Sequence, residues 1–298
     1  SFGRPASGTA LGVIEGAGGR LSVVGRRIGV AGDLESPSGT ITLDARGAGV
    51  FVEAGGRVGV DSAKLVLSEG VQVPMEAGTV QLRAANGNVS VAPGGTVSVA
   101  GSDAAGGLVS ITAATMDLAG TLSGDGGGRA AIDVGSLASF AAVNAPLEAG
   151  GFTGERSIRV RDGSVRIDQD VRASGFSLAA DRGAIDVAAL VDARGERGGR
   201  IALDAGTRLT VERDAALLAS ASSRGGEVRL AARDGAPGAP AIDVANGAVI
   251  DVSAHSSGDA GRIVFAAPRT ATGVDASLAG TVVGTAQPGR ATGDVVVA

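Results

Sequence analysis

Six times along the chain, apolar residues alternate with polar or small ones and the run closes on alanine. Ile41, Leu43 and Ala45 do so in GTITLDA, and Val80, Leu82 and Ala84 in GTVQLRA. Val109, Ile111 and Ala113 follow in GGLVSITA, Ile201, Leu203 and Ala205 in GGRIALDA, and Val228, Leu230 and Ala232 in GGEVRLAA. Ile263, Phe265 and Ala267 close the series in GRIVFAA. Strict alternation over five residues is the period-two signature of a strand with one buried face, and the glycines before each phrase are turn signals. The third inward position narrows to alanine, as expected where a chain rounds a tight corner. Further short strands are predicted in RLSVVG, AGVFVEA, NVSVAPGGTVSVAG, SIRVRDGSVRI and RLTVERDAALLASA. Helical periodicity is nearly absent. Only residues 136–150 invite a helix, and Pro146 with its flanking glycines argues against a long one.

Between phrases the loops vary while the strands persist: LESPSG from Leu34, VDARGERGG from Val191, LASASSRGG from Leu218, IDVSAHSSGDAG from Ile250. A stack of coils tolerates such variation, because an insertion at a corner leaves the core untouched. Successive phrases are 39, 29, 92, 27 and 35 residues apart, too uneven for the near-constant blades of a propeller. With coils of roughly 20 to 27 residues and strands about 4.8 Å apart, the pattern predicts about 11 to 15 coils and a rod of roughly 50 to 70 Å. No linker or composition shift divides it. The expected organisation is a single repeat array over residues 1–298, cut from a longer secreted protein.

Composition narrows the reading. The chain of 298 residues has 51 Gly and is 44% hydrophobic, yet its only aromatics are six Phe. An enzyme of this size usually fills its core and pockets with aromatics, whereas this chain buries something thinner and more uniform. Its net charge of −5 is mixed along the length, with no basic block for nucleic acid and no acidic tail. Lys64 is the only lysine. Without cysteine, disulfides and thiolate metal sites are excluded. SFGRPASGTALGV at the start lacks a charged region followed by an apolar one, and no apolar run approaches the 18 or so residues of a membrane span.

The stretch AIDVAALVDARGERGGRIALDAGTRLTVERDAALLASASSRGGEVRLAA, continued by AIDVANGAVIDVSAHSSGDAGRIVFAA, resembles the central repeats of filamentous haemagglutinin-like exoproteins, the secreted partners of two-partner secretion systems. Those repeats read apolar-Asp-x-Ser/Ala, a glycine-rich loop, then Gly-Gly-x-apolar-x-apolar-x-Ala. The resemblance is clearest over residues 184–267 and extends, with gaps, from about 19 to 298. It implies an all-β fold, a right-handed parallel β-helix, together with an outer-membrane transporter as partner and a secreted or cell-surface location. The family's amino-terminal secretion domain carries Asn-Pro motifs. Here Asn86, Asn88, Asn144 and Asn246 are the only asparagines and none precedes proline, so the expectation is a shaft segment.

Candidate chemistry is sparse. AIDV occurs three times and places Asp133, Asp186 and Asp243 between apolar neighbours. In a strand, adjacent residues face opposite sides, so inward Ile132, Ile185 and Ile242 would turn these aspartates to solvent. Copies two or three coils apart would be roughly 10 to 15 Å distant, whereas glycosidase carboxyl pairs sit at about 5 Å or roughly 6.5 to 9.5 Å. Asp192 or Asp204 could still meet neighbours across coils. His255, the single histidine, lies in the polar loop SAHSSGD, where a solvated role outweighs a triad, and a zinc site is not expected. SGDGGGRAAID (123–133) resembles a calcium-binding glycine-rich nonapeptide but occurs once and out of register, so a turn is expected. The glycine clusters precede no Lys-Ser/Thr and make no phosphate loop. No catalytic, cofactor-binding or metal-ligating residue is therefore assigned and no cofactor is expected.

The resulting expectation is a non-enzymatic structural shaft that projects an adhesive or toxic terminus. Its loops lack aromatics and no unique insertion stands out. Expected partners are the transporter and a host-cell or neighbouring-cell surface receptor; nucleic acid and a membrane span are not expected. Exposed end strands predict end-to-end self-association. The alternatives are a polysaccharide-active β-helix enzyme and an intracellular or phage-borne scaffold.

Overall fold

The computed structural model describes residues 17–66, 71–235, 239–271 and 273–298. Among them the chain is nearly all β, with parallel strands stacked rung upon rung as in a parallel β-helix, and one helix. It divides into two compact units: residues 1–137 with 142–156, and 138–141 with 157–298.

In the first unit a ladder of long parallel strands runs Arg20–Val30, Thr40–Val52, Thr79–Val91, Leu108–Leu118 and Arg129–Val134. A second ladder stacks Asp33–Glu35, Arg57–Gly59, Thr96–Ser98 and Thr121–Ser123. The register aligns like with like: Ile41 pairs with Val80, Val80 with Val109 and Val109 with Ala130, while Leu43, Leu82, Ile111 and Ile132 form the next inward row. All eight are buried. The three phrases of this unit do not stop at alanine. Their strands carry on around the corner, and the register slips between Gly25 and Arg27 and between Ala84 and Asn88. An extra residue on one strand sharpens its bend, so these bulges turn the chain without ending the ladder.

In the second unit each coil has three parallel faces. One carries Glu155–Val160, whose first two residues belong to the first unit, then Gly175–Ala180, Arg200–Ala205, Glu227–Ala232, Arg262–Ala266 and Asp294–Val297. Another stacks Val165–Ile167, Ile185–Val187, Leu209–Val211, Ile242–Val244 and Ala276–Leu278. The third stacks Val171–Arg172, Leu190–Asp192, Ala216–Leu218, Val249–Asp251 and Thr281–Val283. Here the phrases do end at alanine: Ala205 and Ala232 are the last residues of their strands. The same sequence phrase therefore serves two corner geometries.

The 92-residue gap between Val109 and Ile201 is filled by three rungs that lack the phrase. Their inward residues are Ala130, Ile132 and Val134, then Arg156, Ile158 and Val160, then Phe176, Leu178 and Ala180, all buried. Helix Ala141–Ala149 precedes the second of these and buries Val143, Asn144 and Leu147. It is short, in keeping with the flanking glycines, and Pro146 lies within it. An arginine in an inward row is unusual, and the helix region supplies its acceptors. Arg156 donates through Nε to the Phe152 carbonyl (2.5 Å) and through Nη1 to Asn144 Oδ1 (3.1 Å) and Glu148 Oε1 (2.8 Å). Its side chain is 0% exposed, and burial pulls its pKa below the ordinary arginine value against the opposing pull of Glu148.

The opening stretch, residues 1–13, lies outside the described residues. Among the described residues no helix is long and apolar enough to cross a membrane.

Candidate functional site

An open concavity forms where one coil of the second unit leads into the next. Strands Gly195–Arg197 and Ala221–Arg224 run parallel with Arg197 opposite Arg224. Each is followed by two glycines, Gly198–Gly199 and Gly225–Gly226, before the chain enters the main ladder at Arg200 and Glu227. The glycines allow the coils to touch at the corner. A methyl group on Gly198 would lie 2.1 Å from the Gly226 nitrogen, and one on Gly226 would lie 2.1 Å from the Gly199 carbonyl oxygen. No side chain can rise from such a floor. The floor amides are already bonded, Gly198 N to the Arg224 carbonyl (2.8 Å), Gly226 N to that of Ala219 (2.9 Å) and Gly261 N to that of Val252 (2.7 Å).

The result is an open groove of about 700 Å³ over this glycine floor. On one side stand Arg197 and Arg224. On the other the register sets Arg200 beside Glu227, Glu227 beside Arg262 and Arg262 beside Asp294, an alternating row of charge one rung apart. Arg200 Nη2 lies 3.7 Å from Glu227 Oε1. Four guanidiniums against two carboxylates leave a local surplus of two positive charges in a chain whose net charge is −5. Among the described residues neither the Arg197 nor the Arg224 guanidinium has an acidic partner, whereas Arg194 forks onto Asp192 (2.7 Å) and Arg159 onto Asp181 (2.8 Å). Those hydrogen-bonded guanidiniums hold the carboxyls of Asp192 and Asp181 below the usual carboxylate range.

The three AIDV words are not equivalent. Asp186 and Asp243 share a face of the second unit, with Thr210 in register between them, so they are two rungs or roughly 10 Å apart. Asp133 belongs to the long ladder of the first unit, opposite Thr112. In each word the neighbouring Ile and Val are buried and the aspartate faces away from them. Asp192 bonds Arg194, and Asp204 lies 3.4 Å from Arg233. Leaving aside the strand Glu155–Val160, no register pair among the described strands sets two carboxylates side by side. His255 is exposed, and only its backbone is engaged: its N–H bonds the Ala221 carbonyl, and its carbonyl accepts from Gln287. The neighbouring polar residues clamp coils to one another, Ser253 Oγ with Thr285 Oγ1 (3.0 Å) and Asp259 Oδ1 with the Ala291 amide (3.0 Å). Within SGDGGGRAAID the glycine-rich part makes the expected turn, with Gly126 and Gly127 at φ of 82°, and RAAID already belongs to the strand Arg129–Val134. Among the described residues no group of three or more His, Cys, Asp or Glu is placed to hold a metal ion.

The expectation that no insertion stands apart is corrected. Strands Lys64–Val66 and Gln72–Pro74 pair antiparallel as a hairpin inserted into one coil of the first unit. Leu65, Val66, Val71 and Val73 on it are exposed, half of the large exposed hydrophobic side chains among the described residues. Lys64 is tied to Asp103 at 2.6 Å. In sequence, LVLSEGVQV reads like any buried strand pair of this chain, and only the 39-residue interval between Ile41 and Val80 betrays the extra length.

Compared with protein-family models, with curated proteins and with solved structures, the chain matches none.

Proposed function

We propose that the chain is a spacer: a run of stacked β-coils from the shaft of a secreted or surface-displayed exoprotein of the filamentous haemagglutinin-like kind, rather than an enzyme. The observation that carries this reading is the rung-upon-rung register of one aliphatic row, Ile41–Val80–Val109 in the first unit and Ile201–Val228–Ile263 in the second, around corners whose loops differ from coil to coil. Such a stack is stabilised between neighbours all along its length and resists bending without any central site. The spacing of the AIDV aspartates, with Asp186 and Asp243 two rungs apart, also favours spacer over polysaccharide-cleaving enzyme, because acid–base cleavage of a glycosidic bond needs two carboxyls facing one scissile bond. The partners of this reading are an outer-membrane transporter and, at the far end, a cell-surface receptor.

Antibody raised against the segment, applied to intact and to permeabilised producing cells, tests the reading. Labelling of intact cells, or antigen in the medium, is the expected result. Labelling that requires permeabilisation overturns the secreted spacer and moves the chain to an internal scaffold.

A further inference from the structure

We infer that the glycine-floored groove is a binding site for an acidic polysaccharide of the polyuronate class, laid across the coils with its carboxylates against Arg197 and Arg224. This does not rest on the spacer reading, since the groove is a property of the second unit wherever the chain resides. Arg197 and Arg224 occupy matching positions on adjacent parallel strands. Like charges directly opposite each other destabilise a strand pair, and a carboxylate between them converts that repulsion into two charge-assisted hydrogen-bonded contacts. Guanidinium suits this role because its planar fork matches a carboxylate.

The other wall selects among polyanions. Glu227 and Asp294 interrupt Arg200 and Arg262, so this side is close to neutral and rich in acceptors. A polyuronate carries one carboxylate per sugar and otherwise hydroxyls, which can donate to Glu227 and Asp294 while the carboxylates face the arginines. A densely sulfated glycan or a nucleic acid would bring further anions against those same two carboxylates and be repelled. The pitch fits as well. Successive rungs are about 4.8 Å apart, and a linked pyranose unit in an extended chain advances by a similar step. The floor of Gly198, Gly199, Gly225, Gly226 and Gly261 presents backbone, leaving room for a sugar ring to lie flat. No Trp or Tyr exists to stack on it. Attraction is therefore electrostatic and falls as salt screens it.

The test uses the full chain and isothermal titration with oligogalacturonate, at low and at physiological ionic strength, with a neutral galactan oligomer and heparin as comparisons. Expected results are binding of oligogalacturonate at low salt, weakening with added salt, no binding of the neutral oligomer, and weaker binding of heparin. Affinity should fall by about tenfold or more in R197Q/R224Q and remain unchanged in R213Q, which lies outside the groove. Arg197 and Arg224 are both exposed, so the double variant should melt with the parent; R262Q provides a second groove variant, with a smaller loss expected. Absence of oligogalacturonate binding, equal affinity in parent and R197Q/R224Q, an equal loss in R213Q, or tighter binding of heparin would each overturn the inference.

Discussion

A methyl group on Gly261 would lie 1.8 Å from the carbonyl oxygen of Gly226, one coil away. Neither glycine has a positive φ, so each is required by the closeness of the neighbouring backbone and not by its own conformation. Gly226→Ala should therefore destabilise the second unit by about 1–3 kcal/mol, the usual cost of forcing extra volume into a packed contact. Gly32→Ala is the control. Nothing lies within 4 Å of where that methyl would go and its φ is not positive, so it should be neutral or stabilise by about 0.4–1 kcal/mol through the unfolded chain. Chemical denaturation of the two variants checks the contrast, and equal effects would refute the steric account.

Arg156 occupies an inward row yet satisfies three acceptors, Phe152 O, Asn144 Oδ1 and Glu148 Oε1. Arg156→Ala removes the donors, leaves a cavity and strands a carboxylate, and should cost about 3–5 kcal/mol. Arg156→Lys keeps the charge without the planar fork and should recover only part of that loss. Guanidinium chloride unfolding curves would show parent, Lys and Ala variants in that order of stability. A full recovery by lysine would mean that the charge alone matters.

This residue also shows where the sequence stops being readable. The six phrases disclose strand, inward face and corner because one period repeats with one spacing of glycines. ERSIRV hides its rung: its first inward position holds arginine, and the side-chain acceptors Asn144 and Glu148 lie on a helix that no period-two pattern announces. AIDV misleads in the other direction, since four identical letters sit in two different ladders, and what distinguishes them is which neighbouring coil they meet. Alternation made legible that the aspartates point away from the Ile and Val rows, but not that Asp133 Oδ1 is buried instead of facing solvent. The groove was not legible, because Arg197 and Arg224 lie in stretches that the sequence marks as variable loops and that the structure forms into short parallel strands. Only the register brings Arg197 beside Arg224.

Asp192 makes a pH-dependent contribution at a coil corner. Its Oδ1 accepts from the Arg194 amide (3.0 Å) and Nε (2.9 Å), and its Oδ2 from Nη2 (2.7 Å). The Arg194 guanidinium holds the folded carboxyl below its unfolded value, so the stabilisation is fully present above about pH 3.9 and is lost as pH falls through the lower folded value. The pair is partly exposed, and solvent screening limits the effect to about 1 kcal/mol or less. Asp192→Asn should lower Tm slightly at pH 7 and have a vanishing effect once the pH is well below 3.9. A deficit that persists undiminished in acid would assign the loss to the changed hydrogen bonds of the amide and not to charge.

Whole coils should be removable where parts of coils are not. Arg200 and Glu227 stand in register one rung apart, each preceded by two glycines and each opening a strand that ends on buried alanine. Deleting residues 200–226 therefore joins Gly199 to Glu227 with the local geometry of the native Gly226–Glu227 link. The strand at 175–180 can then receive 227–232 in the place of 200–205, with Val228 over Phe176 and Leu230 over Leu178. Stability in a stack is a sum of coil and nearest-neighbour contributions, so the shortened chain should keep a cooperative transition and the circular dichroism of β-structure, with a modestly lower Tm. Deleting residues 200–219 instead removes less chain but brings Ser220 to the corner where Arg200 belongs and puts its strand out of face, and this variant should fail to fold. If both deletions behave alike, the coil is not the unit of the structure, and the spacer reading loses its physical basis with it.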